Sequence, residues 1–182
     1  MIPLTALWLI LPAYIANASA VILGGGKPID FGKTWKGKPV FGPGKTWKGF
    51  IGGTGVGSLV GYLQAFFFPD SFGGYPVLLI TVFSLSLGAL AGDLVESFMK
   101  RRLGKNRGEK WLVADQLDFV AGACCLCFLG SEALRRGGIS PGNWFLETFS
   151  VWHVVFLFLF TPFLHYSINY VGYKLGLKEV PW

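Results

Sequence analysis

Between Gly92 and Phe119 the chain reads GDLVESFMKRRLGKNRGEKWLVADQLDF, and this stretch gathers most of the residues able to do chemistry. Asp93 and Glu96 precede a basic run of Lys100, Arg101, Arg102, Lys105, Arg107 and Lys110; Asp115 and Asp118 follow it. Within the run only Glu109 opposes the cations. The four flanking acids fall just inside long apolar segments, where a lone carboxylate costs roughly 2.5–3.5 kcal/mol even on the gentler insertion scale. Asp93 and Glu96 are i, i+3 neighbours on one helix face, as are Asp115 and Asp118. Like charges gathered there repel one another, and a bound cation offsets both penalties. Carboxylates without His or Cys companions select a hard ion, Mg²⁺ or Mn²⁺ in its place, rather than zinc. A competing reading pairs the acids with Lys100, Arg101 or Arg102, which accounts for one or two of them more easily than four. The chemistry implied is metal-assisted nucleotidyl transfer at a membrane surface.

The rest of the sequence supplies no evident neutral base beside these acids. His153 and His165 lie in the last apolar run, far from both basic stretches, and read as core histidines. An alcohol or water nucleophile would want a nearby base. A phosphate monoester, with a second pKa of about 6, is already largely ionised and needs only positioning and charge neutralisation. Cys124, Cys125 and Cys127 share one apolar run; on a helix they point in different directions, so they read as packing residues rather than a metal site.

The elements that must position this chemistry are membrane helices. Of 182 residues 52% are hydrophobic and only 14% charged, too apolar for an ordinary soluble domain. The expected fold class is an all-α integral membrane protein, a single catalytic domain over 1–182 with about five spans. These fall near 2–23, 50–68, 76–99, 112–134 and 149–173, each long enough to cross a hydrocarbon core of about 30 Å. The first run lacks a basic flank before it and reads as a retained span, not a cleaved leader. The net charge of +6 resides mainly in two loops, 24–49 and 100–111, with six Lys and Arg in each. Such loops beside spans mark the cytoplasmic face and anionic headgroups, not nucleic acid. The expected topology therefore has the N-terminus outside and the C-terminus and both basic loops in the cytoplasm. The protein would sit in the cell membrane as a multi-pass enzyme with its site at the cytoplasmic face; self-association is left open.

The first basic loop contains one hexapeptide twice, GKTWKG at 32–37 and again at 44–49. Neither copy is a P-loop. Pro39 occupies the place of the first required glycine before the second copy, Gly26 lies one residue too far from the first, and no strand is expected before either. The loop still offers backbone N–H groups, lysines and hydroxyls suited to polyphosphate. The glycines of the second run, Gly52, Gly53, Gly55, Gly57 and Gly61, would permit close helix packing.

Gly92-Asp93-Leu94, Glu96-Ser97 and Lys100-Arg101 resemble the GDLxESxxKR core of the phosphatidate cytidylyltransferases. The chain is more similar to their archaeal branch, the CDP-archaeol synthases. That resemblance rests on Pro12-Ala13, Ala16-Asn17, Pro28-Ile29-Asp30-Phe31-Gly32, Gly44-Lys45-Thr46-Trp47, Ser97-Phe98 with Lys100-Arg101-Arg102, and Asp115-Gln116-Leu117-Asp118-Phe119. It implies transfer of CMP from CTP to the phosphate of 2,3-bis-O-(geranylgeranyl)glycerol 1-phosphate, with release of pyrophosphate. On it, Asp93, Asp115 and Asp118 would hold Mg²⁺, with Lys100 and Arg101 completing the catalytic set. Glu96 would stand in or just behind the metal's ligands, and Ser97 beside the substrate. Lys45, Lys48 and Arg102 would neutralise phosphates, while Asn17, Asp30, Thr46 and Gln116 would orient substrate. The lipid tails would lie between helices, near Phe66–Phe68 or the glycines of the second run. Two rival readings are CDP-alcohol phosphotransfer, whose D-G-x-x-A-R string is absent, and a small transporter or flippase using the acids as an ion relay.

Overall fold

The structure is a computed structural model and describes residues 2–74, 76–106, 109, 111 and 113–174; of 165, 168, 169 and 171–173 it describes the backbone only. Arg107, Lys110, Lys178 and the side chain of His165 therefore lie outside the described residues, as does residue 112, the expected start of the fourth span.

Long uncharged or nearly uncharged runs form the helices, because a helix satisfies every backbone polar group of a spanning segment within that segment. In chain order these are α1 (Ile2–Ile22), α2 (Trp47–Phe67), α3 (Val77–Arg102), α4 (Ala114–Arg136), the short α5 (Trp144–Thr148) and α6 (Val151–Lys174). The protein is an all-α, multi-pass membrane protein. Helices α1 to α4 are each long and apolar enough to cross a membrane, and α6 contributes a shorter apolar stretch, Val151–Leu164. Two expected boundaries move. Helix α3 continues through Lys100, Arg101 and Arg102, so those cations stand on the helix rather than in the loop. Helix α2 begins at Trp47, so Lys48 is helical too.

Small residues set the packing. On α2, Gly49, Gly53, Gly57 and Gly61 recur every fourth position. A Cβ on Gly53 would come within 2.7 Å of the Ala16 carbonyl, and one on Gly57 within 2.5 Å of the Pro12 carbonyl. Helix α1 thus lies directly on the α2 backbone. Gly55 meets nothing within 4 Å and takes no part. The closest approach is between α3 and α4, where a Cβ on Gly92 would fall 2.1 Å from the Asp118 carbonyl and one on Gly122 would fall 2.3 Å from the Gly88 carbonyl. Gly88-x-x-x-Gly92 is the small-xxx-small pattern that lets membrane helices cross at backbone contact. It sets Asp93 and Glu96 on α3 beside Asp118 on α4. Buried Ile10, Leu85, Phe119 and Leu157 fill the core from four different helices, and Tyr14 of α1 bonds Thr161 of α6 at 2.6 Å.

Between α1 and α2 the basic loop is folded, not free. Its ends are zipped by N–H bonds from Ile29 to the Lys45 carbonyl (2.8 Å) and from Trp47 to the Lys27 carbonyl (3.1 Å). Its middle is a hairpin of β1 (Thr34–Trp35) and β2 (Lys38–Pro39), paired Thr34 with Pro39 and Trp35 with Lys38. Two-residue strands were not expected there. The Lys36 and Gly37 φ angles of 52° and 75° make the tight turn between them.

Candidate active site

The acid-bearing end of α3, the start of α4 and the loop before α2 meet at one end of the helix bundle. Asp93, Glu96 and Asp118 each present a carboxylate oxygen, and these lie within 4.8 Å of one another. Asp115 lies beside Glu96 and reaches Lys100 at 2.5 Å. Lys100 also reaches Glu96 one helical turn back, at 3.0 Å. Lys45 crosses from the loop to both oxygens of Asp93, each at 2.6 Å. Among the described residues no cation forms an ion pair with Asp118, whose carboxylate accepts the Phe119 N–H at 2.6 Å. The gathered trio thus differs from the expected Asp93, Asp115 and Asp118, with Glu96 in the place of Asp115. The helix continuing through Lys100 is the reason: it puts Lys100 four residues after Glu96 and within reach of Asp115.

Three concavities surround this cluster. A polar cleft of about 450 Å³ lies toward α1, lined by Asn17, the glycines 24–26, Lys45, Thr46 and Asp93. A charged cleft of about 280 Å³ lies toward α4, lined by Lys45, Asp93, Glu96, Lys100, Arg101 and Asp118 among others. Pro43, Gly44, Lys45 and Asp93 line both, so the Lys45–Asp93 pair is the partition between them. On the outward face of α3 and α4 runs an apolar groove of about 660 Å³, lined by residues including Val95, Met99, Leu117, Ala121 and Cys125. Glu96 and Asp118 line both the groove and the charged cleft. An amphiphile can therefore lay its tail along the helices and bring a polar head to the acids.

The whole chain, residues 1–182, matches the family model described as CarS-like, CDP-archaeol synthase. It belongs to the CDP-archaeol synthase family. A synthase of that name from Thermococcus gammatolerans is 46% identical over 178 residues, covering 97% of this chain and 95% of the relative. One from Thermococcus onnurineus is 45% identical over 180 residues, covering 98% and 96%. Among solved structures, an intramembrane enzyme for archaeal membrane lipids biosynthesis superposes with a TM-score of 0.74 at 35% identity, covering 90% of this chain and 92% of that one.

The remaining expected residues divide by position. Asn17, Lys45 and Thr46 line the polar cleft, and Ser97, Lys100, Arg101 and Asp115 line the charged one. Thr46 has a second task as N-cap of α2, its Oγ1 accepting the Gly49 N–H at 3.2 Å. Ser97 lies 3.5 Å from Glu96, and Arg101 donates to the Lys105 carbonyl at 2.7 Å. Asp30 instead organises the loop: Gly32, Phe41 and Gly42 each donate an N–H to its carboxylate at 2.9 Å. Burial alone would raise its pKa, but these three donors outweigh it and hold the group below the usual carboxylate range. Lys48 is exposed and Gln116 half-buried, and neither lines a cleft described above. Arg102 turns away from the acids to the hairpin.

The other residues singled out in the sequence fall as follows. Phe66, Phe67 and Phe68 are exposed at the far end of α2, and the apolar groove adjoining the acids is built by α3 and α4 instead. His153 is no core residue; its Nδ1 meets Ser150 Oγ at 2.7 Å where α6 begins. Cys124 and Cys127 are buried, whereas Cys125 is exposed and lines the groove. Two functional features lie outside the expected set. Pro43-Gly44 walls both clefts, and Gly88-x-x-x-Gly92 faces Gly122 with a spacing that is visible in the sequence.

Proposed function

We propose that the chain transfers CMP from CTP to the phosphate of 2,3-bis-O-(geranylgeranyl)glycerol 1-phosphate, releasing pyrophosphate. The observation that carries this is the position of Glu96 and Asp118, shared by a charged cleft and an apolar groove. A water-soluble triphosphate and a lipid phosphate can meet only at such a junction. Two adjacent polar clefts, parted by the Lys45–Asp93 pair, give the nucleotide room on either side of it. A lipid phosphate oxygen attacks the α-phosphorus of CTP as the bond to the β-phosphate oxygen breaks, and pyrophosphate carries away the electron pair. No general base is required, since the attacking phosphate is already ionised.

The donor set fits one divalent cation. Asp93, Glu96, Asp115 and Asp118 bring four carboxylates, while the ammonium groups paired with them are those of Lys45 and Lys100. The excess of two negative charges is what Mg²⁺ or Mn²⁺ would cancel, with Asp93, Glu96 and Asp118 holding it. Bound there, the ion would supply Lewis-acid stabilisation of charge developing on the phosphates. Lys45 holds Asp93 and would offer its ammonium to a phosphate, Lys100 orients Glu96 and Asp115, and Arg101 adds charge to the cleft wall. The two basic loops support a reading in which this end of a single catalytic domain faces the cytoplasm, where CTP is available. The acids cluster at one end of α3 and α4 instead of spanning the membrane depth, which weighs against an ion relay.

The test is pyrophosphate release by purified protein in detergent, with each of four nucleoside triphosphates, Mg²⁺ and the geranylgeranylated glycerol phosphate. Release from CTP alone, dependent on both metal and lipid, is expected. No release with isoprenoid or acyl phosphate acceptors would sink the reading and direct attention to transport.

A further inference from the structure

We propose that Arg102 is a positioning residue that ties the loop carrying Lys45 to the helix carrying the acids, and that it does not bind a substrate phosphate. Its guanidinium donates to the Trp35 carbonyl, to the Lys38 carbonyl at 3.1 Å and to the Pro39 carbonyl at 2.5 Å. The same group lies against the Trp35 ring (5.3 Å) and the Phe98 ring (5.1 Å), which stack on each other at 5.5 Å. Lys38 returns one bond, to the Arg102 carbonyl at the end of α3, at 3.4 Å. With three carbonyls and two rings engaged, the guanidinium faces the hairpin and lines neither polar cleft.

The loop needs such a tie. Phe31 and Trp35 are 63% and 50% exposed, so the hairpin has little apolar burial to hold it. Segments of that kind open at low free energy unless polar contacts fix them. Asp30 gathers the N–H groups of Gly32, Phe41 and Gly42 and so shapes the loop internally, with no bond to α3 among the described residues. Arg102 makes that connection. It stands nine residues after Asp93, about 13.5 Å along the same helix at 1.5 Å per residue. The hairpin leads through Gly42 and Pro43 into Lys45, whose ammonium must arrive at Asp93. A lysine at 102 would keep the charge, yet it cannot fork to several carbonyls or lay a planar group against both rings.

The experiment compares Arg102→Lys with Arg102→Ala, and its kinetic arm rests on the cytidylyl-transfer reading. Expected for both variants is a rise of about tenfold or more in KM for CTP, with KM for the lipid within about twofold. Trypsin cleavage after Lys33 or Lys36, followed by mass, should accelerate about fivefold or more in both, because cleavage tracks the open population. Near-normal CTP kinetics in Arg102→Lys alongside a defective Arg102→Ala would show that charge alone matters and overturn the proposal; so would an unchanged cleavage rate. Trp35→Ala, on the exposed hairpin, loosens the same clasp without substituting a residue of α3 and keeps the test standing if an Arg102 variant fails to fold. A folded Trp35→Ala with normal cleavage and normal CTP KM also overturns it. If wild type turns over no CTP, the functional reading fails, while the cleavage arm still decides the clasp.

Discussion

The hexapeptide Gly-Lys-Thr-Trp-Lys-Gly adopts two conformations in one loop. At 32–37 it makes a strand and a tight turn: Thr34–Trp35 is β1, and Lys36 and Gly37 both take positive φ. At 44–49 the same residues start a helix: Thr46 is the N-cap of α2, and Trp47, Lys48 and Gly49 form its first turn. The residues C-terminal to each copy decide between the two. Pro39 cannot sit in a helix interior and disfavours helical backbone at Lys38. After Gly49 comes the apolar run with a glycine at every fourth position, which α1 covers. The lysines diverge with the backbone. Lys33 is exposed in the loop, whereas Lys45 is half-buried and holds Asp93. Tertiary partners, not the six residues, assign the roles.

The sharpest way to break this comparison is to remove each lysine. Lys45→Ala should lower kcat/KM by about a hundredfold, ~2.7 kcal/mol of transition-state stabilisation, while Lys33→Ala stays within about twofold. Equal losses, measured as pyrophosphate release, would mean that the two copies share phosphate binding. Next in size are the last glycines. Gly49→Ala would place a Cβ 2.7 Å from the Ala20 carbonyl and should destabilise the α1–α2 contact by about 2 kcal/mol in detergent unfolding. Gly37→Ala meets no atom within 4 Å but sits at φ 75°, a strain of about 1 kcal/mol. Smaller still, Thr46→Ala loses the α2 cap for about 1 kcal/mol, against no more than about 0.5 kcal/mol for Thr34→Ala on the exposed strand.

The smallest effect is one of pH. Asp30 is held below the usual carboxylate range, so its contribution is complete above the unfolded value of about 3.9 and lost as pH falls through the lower folded value. The protection of the Gly42 N–H from hydrogen exchange, relative to its intrinsic rate at each pH, should therefore hold from pH 8 to 5 and fall only below about pH 4. Asp30→Asn should exchange faster throughout and lose that acid step. A wild-type change near pH 6 would assign the loop's anchor to another group.

Much of this was legible without coordinates. The apolar runs gave the helices, because a bilayer leaves the backbone no alternative, and the i, i+3 acids gave the two faces that meet. The partners of each acid were not legible. That Lys100 pairs with Asp115 depends on α3 running past its hydrophobic end, which a helix ended at the first cation conceals. Arg102, next to two residues of the charged cleft, reads as one more phosphate ligand until its fork is seen on the hairpin carbonyls. The role of Asp30 depends on N–H groups eleven and twelve residues away, a closure that no local pattern encodes.

The most direct measurement of the site is Mn²⁺ binding followed by electron paramagnetic resonance, in wild type, Asp118→Asn and Asp115→Asn. With Asp93, Glu96 and Asp118 as the metal's ligands, Asp118→Asn should weaken binding by about tenfold or more, ~1.4 kcal/mol. Asp115→Asn should then stay within about threefold. Normal affinity in Asp118→Asn, with the loss appearing in Asp115→Asn, would contradict the assigned trio and put the metal on the other face of Lys100.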